Sequence, residues 1–277
     1  MGSSTSSLDQ FLFHSPDSFD SSDTVVDAAW NAGLGIHALI WVSYFLSINS
    51  PLHPSLIFYP LKFGFDGDDV WMTRRDSLFA SLHSNPKAKF VTRAVQFGSE
   101  PLYDQVLPPD ELAAQVTAAK QNLADLGILV TVSDMAYGYQ SNGGAQSVLD
   151  AVDFIDLHML PFFSTTATTA SDSWGFVQSN LDWINSHAGG KKVILSENGW
   201  PSMQSGSTRS SSPTAVSDVQ QEQDYFDLLD SKCQELKSNP GGGVAWFAHL
   251  YSEEQGAGYG ILDNGKLKFP FSPKTTC

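Results

Sequence analysis

Lys191-Lys192-Val193-Ile194-Leu195-Ser196-Glu197-Asn198-Gly199-Trp200-Pro201-Ser202 reads as a strand that stops abruptly on a carboxylate. Val193, Ile194 and Leu195 form the short unbroken apolar run of a strand covered on both faces in a parallel sheet, and Asn-Gly followed by Trp-Pro breaks it. Glu197 therefore stands at a strand's C-terminal end. In a barrel of parallel strands that end is where chemistry is done, because the loops leaving it can surround a ligand. Phe90-Val91-Thr92-Arg93-Ala94-Val95-Gln96-Phe97 repeats the pattern, running into Gly98-Ser99-Glu100-Pro101, again a carboxylate followed by a breaker. The two glutamates are too far apart in the chain for local pairing, so only a fold that gathers strand ends brings them together.

Working outward, strand patterns recur at residues 35–41, 128–133, 154–160 and 243–251, and helical spacing lies between them. Asp23 caps a helix over 24–32 that Gly33 ends. A second helix covers 69–84 with Val70, Leu78 and Leu82 inward, and Asn85-Pro86 stops it. Pro108-Pro109-Asp110 opens a third, whose Leu112, Val116, Leu123 and Leu126 share one face until Gly127. A short helix is expected at 146–152, and longer ones at 173–188 and 219–236. Six strand–helix alternations without internal repeats predict an α/β barrel. Residues 1–22, rich in Ser and Asp, read as a disordered leader, and 23–277 as a single domain.

Paired carboxyls at strand ends are what glycoside cleavage requires. Ser196-Glu197-Asn198-Gly199-Trp200-Pro201-Ser202 resembles the nucleophile motif of glycoside hydrolase family 17, the β-1,3-glucanases and glucan glucosyltransferases, where Ser-Glu-Thr/Ser-Gly-Trp-Pro is usual. Gly98-Ser99-Glu100 resembles that family's Gly-Asn-Glu acid/base motif. The resemblance runs from about Thr24 to about Lys268 and implies a (β/α)8 TIM barrel, with Glu197 as nucleophile on the seventh strand and Glu100 as general acid/base on the fourth. Ser99 replaces an Asn expected to hydrogen-bond the sugar near its 2-hydroxyl. Leu160-Pro161-Phe162-Phe163 replaces Tyr-Pro-Tyr-Phe, which removes two hydroxyls and implies a drier stacking surface. Glu253 matches the glutamate of the family's Phe-Asp-Glu motif, expected to support the nucleophile's surroundings. Trp200, braced by Pro201, is a candidate sugar platform or else a loop anchor; Tyr137, Phe162 and Tyr251 follow strand ends and line a cleft or sit in the core.

By the same resemblance residues 35–41 are the family's third strand, so the barrel is expected to lack its first two. Residues 42–62 carry one charge, Lys62, with Pro51, Pro54 and Pro60. Their removal would join Trp41 to the acidic stretch beginning Phe63-Gly64-Phe65-Asp66, and they read as either a retained intron or a family-specific loop.

A chain of 277 residues with 42% hydrophobic and 12% aromatic content is ample for one barrel domain. Its formal charge of −15 argues against nucleic acid or anionic membranes as partners and suits an uncharged polysaccharide. No apolar stretch is long enough to span a bilayer. The N-terminus lacks the basic and apolar regions of a signal peptide, and its Met-Gly-x-x-x-Ser pattern is read as coincidence in a Ser-rich leader. Cys233 and Cys277 are either a disulfide or two free thiols. His37, His158 and His249 fall on separate strands without metal-ligand spacing, so neither metal nor cofactor is expected. No phosphate loop or Gly-x-Ser-x-Gly elbow is present. The resemblance implies a monomeric retaining glycosidase that hydrolyses or transglycosylates β-1,3-glucan, secreted or wall-associated. A catalytically inactive truncated barrel and a glucan-binding wall protein are the alternatives.

Overall fold

The computed structural model describes residues 10–14, 21–40, 70–204, 208–255, 258–274 and 276–277. Seven strands, β1 (Gln10–His14), β2 (Gly35–Ile40), β3 (Thr92–Ser99), β4 (Leu129–Met135), β5 (Ile155–Met159), β6 (Val193–Asn198) and β7 (Val244–Trp246), pair in sequence order, every pair parallel. This is the stave order of a barrel, and among the described residues β1 and β7 are its two ends. A separate sheet of β8 (Leu250–Ser252), β9 (Gly260–Asp263) and β10 (Lys266–Leu267) sits after β7.

The helices are α1 (Ser21–Ala32), α2 (Val70–Ser84), α3 (Ala88–Val91), α4 (Pro109–Leu123), α5 (Ala136–Ser141), α6 (Gln146–Ala151), α7 (Trp174–His187), α8 (Val219–Ser231) and α9 (Cys233–Lys237). Local chemistry sets their ends. Pro109 opens α4, with Asp110 and Glu111 in a first turn where the helix dipole favours negative charge. The Asp218 side chain caps α8 by accepting the Gln221 N–H at 2.8 Å.

Several expectations change: Asp23, expected to cap the first helix, lies in its first turn, and the helix expected over 219–236 is divided into α8 and α9. Gln10–His14, read as leader, forms a strand in register with Gly35–Leu39. The Phe11-Leu12-Phe13 patch supplies strand-forming residues, and the edge of β2 supplies unpaired backbone groups to receive them. If β2 is the third stave, β1 takes the place of the second, so one stave rather than two lacks a counterpart among the described residues. Phe90 and Val91 belong to α3, and the strand begins at Thr92. The last barrel strand ends at Trp246, and Leu250–Ser252 joins the second sheet, because β7 has a pairing partner along three residues only. Residues 42–62 lie outside the described residues. Cys233 and Cys277 are bonded, with their Cα atoms 5.7 Å apart.

Strand alternation gives the barrel sheet two different faces. Val95, Phe97, Val130, Val132, Ile155, Leu157, Met159, Val193 and Leu195 share one core with Leu112, Val116 and Leu123 of α4 and Val177, Leu181 and Ile184 of α7. The opposite face holds the small cluster of Ala94, Phe154 and Ile194. Above that cluster the same face turns polar, with buried Gln96, Ser133, Asp156, His158 and Ser196.

Candidate active site

Both strands that carry a sequence-predicted carboxylate contain an extra residue just before it. Phe97 pairs with Val132 and Ser99 with Ser133, so β3 accommodates one more residue than β4 at Gly98. Leu157 pairs with Leu195 and Met159 with Asn198, so β6 accommodates one more than β5 beside Glu197. Such bulges re-aim the side chains that follow them. Gly98 has φ +66°, and a Cβ there would lie 3.1 Å from the Pro101 ring. Glu100 itself has φ +59°, a left-handed backbone that costs a non-glycine residue about 1–2 kcal/mol. Surrounding bonds hold it there. The Glu100 N–H donates to Ser133 O at 2.8 Å, and the Asp134 carboxyl accepts the Leu102 N–H at 2.6 Å and the Met135 N–H at 2.8 Å.

Glu100 and Glu197 then meet around one imidazole. His158 Nδ1 lies 3.0 Å from Glu100 Oε1, and His158 Nε2 lies 3.4 Å from Glu197 Oε1. His158 Nε2 also lies 2.7 Å from the Ser133 hydroxyl, itself 3.2 Å from that of Ser196. The His158 side chain is 1% exposed, whereas those of Glu100 and Glu197 reach solvent at 17% and 10%. Ser99 donates to Glu197 Oε1 at 2.8 Å, and His249 Nδ1 stands 3.9 Å from Glu197 Oε2.

This concentration of charge in a buried place shifts its members. Burial alone lowers the imidazolium of His158, but the Glu197 charge, the hydrogen bond and charge of Glu100 and the Asp134 charge outweigh it and raise it to about 9. Burial raises Asp134 to about 8 despite the nearby His158, and raises Asp156 to about 7 against the opposing Ser196 and His158. His37, on the same face of the sheet, is lowered to about 4 by burial and Arg93.

The remaining predicted residues divide between opening and foundation. Tyr137 and Tyr251 are exposed, and Tyr137 meets Tyr103 edge-on at 6.1 Å, beside the Glu100 turn. Trp200 and Phe162 are fully buried against each other at 5.1 Å, and Trp200 Nε1 donates to Val216 O at 2.9 Å. Trp200 is thus the loop anchor and not a sugar platform, and the Phe162 ring lies in the core; its neighbour Phe163, edge-on to Phe162, is exposed. Glu253 accepts the Gly258 N–H and pairs with Lys268 at 2.8 Å. Lys268 also holds Glu222 at 2.6 Å and Ser202 Oγ at 2.9 Å, while the Ser202 N–H reaches Gly258 O at 2.6 Å. Through these bonds Glu253 fixes the loop that leaves Glu197. Asn198 is held from behind by the Tyr225 hydroxyl at 2.7 Å.

Sequence reading weighed His158 only as a metal ligand and passed over Ser133 and Tyr103. The available signal was Asp156-x-His158, two polar residues at strand spacing among apolar neighbours. Among the described residues no group of three or more His, Cys, Asp or Glu is arranged to hold a metal ion.

A barrel-type parallel sheet with this carboxyl pair at its mouth places the chain among the glycoside hydrolases. The BtgE/BtgC glycoside hydrolase domain matches residues 64–255, and the chain belongs to that family. It is 34% identical over 107 residues to a probable β-glucosidase btgE of Aspergillus terreus; that stretch is 38% of this chain and 19% of the relative. The fold is similar to that of the glycoside hydrolase family 17 β-1,3-glucanosyltransferase of Rhizomucor miehei, with TM-score 0.70 and 19% identity over 97% of this chain and 86% of that one. An active-site mutant of the Rhizomucor miehei β-1,3-glucanosyltransferase in complex with laminaritriose is similar at TM-score 0.68 and 19% identity, over 92% of this chain and 82% of that one. The glycoside hydrolase family 17-like fold expected from the strand-end motifs is therefore present.

Proposed function

We propose that this glycoside hydrolase acts on β-1,3-glucan by double displacement, with Glu197 as nucleophile and Glu100 as general acid/base. The observation that carries this reading is the convergence of the two carboxyls on one imidazole from strands distant in the chain. In the first step a Glu197 oxygen bonds to the anomeric carbon while Glu100 gives its proton to the departing glycosidic oxygen. In the second, water or a hydroxyl of another glucan chain gives a proton to Glu100 and displaces Glu197 with the β configuration restored. Hydrolysis and transfer differ only in that acceptor. The Ser99 hydroxyl steadies the nucleophile in place of the family's amide, and the exposed Tyr103–Tyr137 pair offers an aromatic surface on the Glu100 side, where the leaving sugar departs. The Cys233–Cys277 bond supports a secreted or wall-associated setting, since disulfides persist in oxidising compartments.

Proton NMR of the first product released from a laminari-oligosaccharide tests the reading; a β anomer is expected, and an α anomer would overturn it. Glu197→Gln is expected to lower turnover on every substrate by roughly 10⁴-fold or more. Glu100→Gln is expected to lower it by about 10²–10⁴-fold on glucan and far less on an aryl glycoside whose leaving group needs no proton. Equal losses in both variants on the activated substrate would remove the assignment of roles.

A further inference from the structure

His158 makes contacts that no substrate-binding or core role requires. Its two nitrogens face the two carboxyls from β3 and β6, it is almost wholly buried, and it stands between them and the sheet interior. The groups around it come from every neighbouring strand: Glu100 at the end of β3, Ser133 and Asp134 on β4, Asp156 two residues earlier on β5, and Ser196 and Glu197 on β6, with His249 against Glu197 from the segment after β7. Every ionisable group among these except His249 is a carboxyl. An imidazole in that setting retains a second proton to higher pH than in water, and the Nδ1 to Oε1 separation of 3.0 Å is hydrogen-bonding distance to Glu100.

We propose that His158 is a positioning residue that shares its Nδ1 proton with Glu100, so that the general acid of this site is the Glu100–His158 pair and not a lone carboxyl. The inference rests on the double-displacement reading above and deepens it. The pair holds one transferable proton. That proton goes to the glycosidic oxygen as the glycosyl–oxygen bond breaks, and the pair recovers one from the attacking water or sugar hydroxyl in the second step. Two groups this close titrate as a unit, so the alkaline limb of the rate profile belongs to the pair. The Nε2 side meanwhile supplies positive charge toward Glu197, with Ser133 fixing the ring plane.

The test compares wild type with His158→Asn and His158→Gln, whose amides reach the Nδ1 and Nε2 positions respectively without a transferable proton. For each, kcat/KM is measured against pH on a β-1,3-glucan oligosaccharide and on an activated aryl β-laminaribioside. In both variants the alkaline limb is expected to move toward acid by about one pH unit or more, with a glucan loss of roughly 10²-fold and a loss on the aryl substrate under about tenfold. An unchanged limb, or equal losses on the two substrates, would reduce His158 to a structural residue and overturn the proposal. If the variants do not fold, NMR titration of the His158 ring in wild type and Glu100→Gln decides it: the ring must lose its proton at least about one pH unit lower when Glu100 is gone, and an unmoved titration overturns the pairing. Wild type inactive on both substrates would instead count against the parent reading.

Discussion

The two faces of the barrel sheet are made from the same strands, yet they follow opposite rules. Outward, Val95, Phe97, Val132, Leu157 and Leu195 meet the helices in a continuous apolar layer. Inward, Gln96, Ser133, Asp156, His158 and Ser196 lie just as deeply buried, and burial displaces Asp156 and His37 toward their neutral forms. The outward face gains free energy from every methyl it removes from water. The inward face forgoes that gain to keep charged and hydrogen-bonding groups under the carboxyl pair, as sites that shift proton affinities do. A residue's importance to stability and its importance to chemistry are therefore separated by which way its strand position points.

Damage to one face at a time separates stability from chemistry. Leu123→Ala, which opens a cavity where α4 covers the outward face, is expected to cost about 2–5 kcal/mol in urea unfolding while leaving kcat/KM of the folded enzyme within a few-fold. A large loss of turnover in that variant would show that the outer layer also tunes the site.

The inward face is expected to respond in the opposite direction. On that face Asp156 is raised to about 7 from 3.8, and Asp134, which strand alternation turns the other way beside the Glu100 turn, is raised to about 8, so the folded chain binds more protons than the unfolded one above about pH 4, and stability falls as pH rises through that window. His158 adds to the same slope: its stabilisation is complete below 6.5 and is lost as pH rises through about 9. The thermal midpoint is thus expected to be higher near pH 5 than near pH 8.5. Asp156→Asn is expected to add on the order of 4 kcal/mol near pH 8 and almost nothing near pH 4, flattening the profile. A midpoint that rises with pH would contradict this account of the buried carboxyls.

The smallest effect sits at the mouth between the faces. Ser99→Ala removes one hydrogen bond to Glu197 and is expected to lower kcat about tenfold, with the thermal midpoint nearly unchanged. Ser99→Asn, which places there the amide of the family 17 motif, should recover part of that loss; if both variants match wild type, the Ser99 hydroxyl does not steady the Glu197 carboxyl.

Much of this organisation was readable in the chain before any strand was paired. Val193-Ile194-Leu195 with its Asn-Gly-Trp-Pro stop, the matching Gly98-Ser99-Glu100-Pro101 end, and the Pro108-Pro109-Asp110 helix start are short-range signals, because breakers and caps act on neighbouring backbone. They placed both glutamates at strand ends. Trp200 was less legible: its position after a strand end suits either a platform or an anchor, and only packing against Phe162 and the bond to Val216 O decide for the anchor. Gln10–His14 was less legible still, since five residues beside a polar stretch carry no amphipathic period long enough to read, and the strand exists through pairing with β2.

The alternation of strands and helices, the apolar outward layer and the two carboxyl-bearing strand ends all follow from local propensity and periodicity along the chain. That Glu100 and Glu197 share His158 follows from the assembled sheet, because the bulges that re-aim both strand ends exist only in the register with neighbouring strands. The proton affinities were likewise beyond the sequence: they depend on burial and on charges brought in from β3, β4 and β6, and both are properties of the assembled sheet.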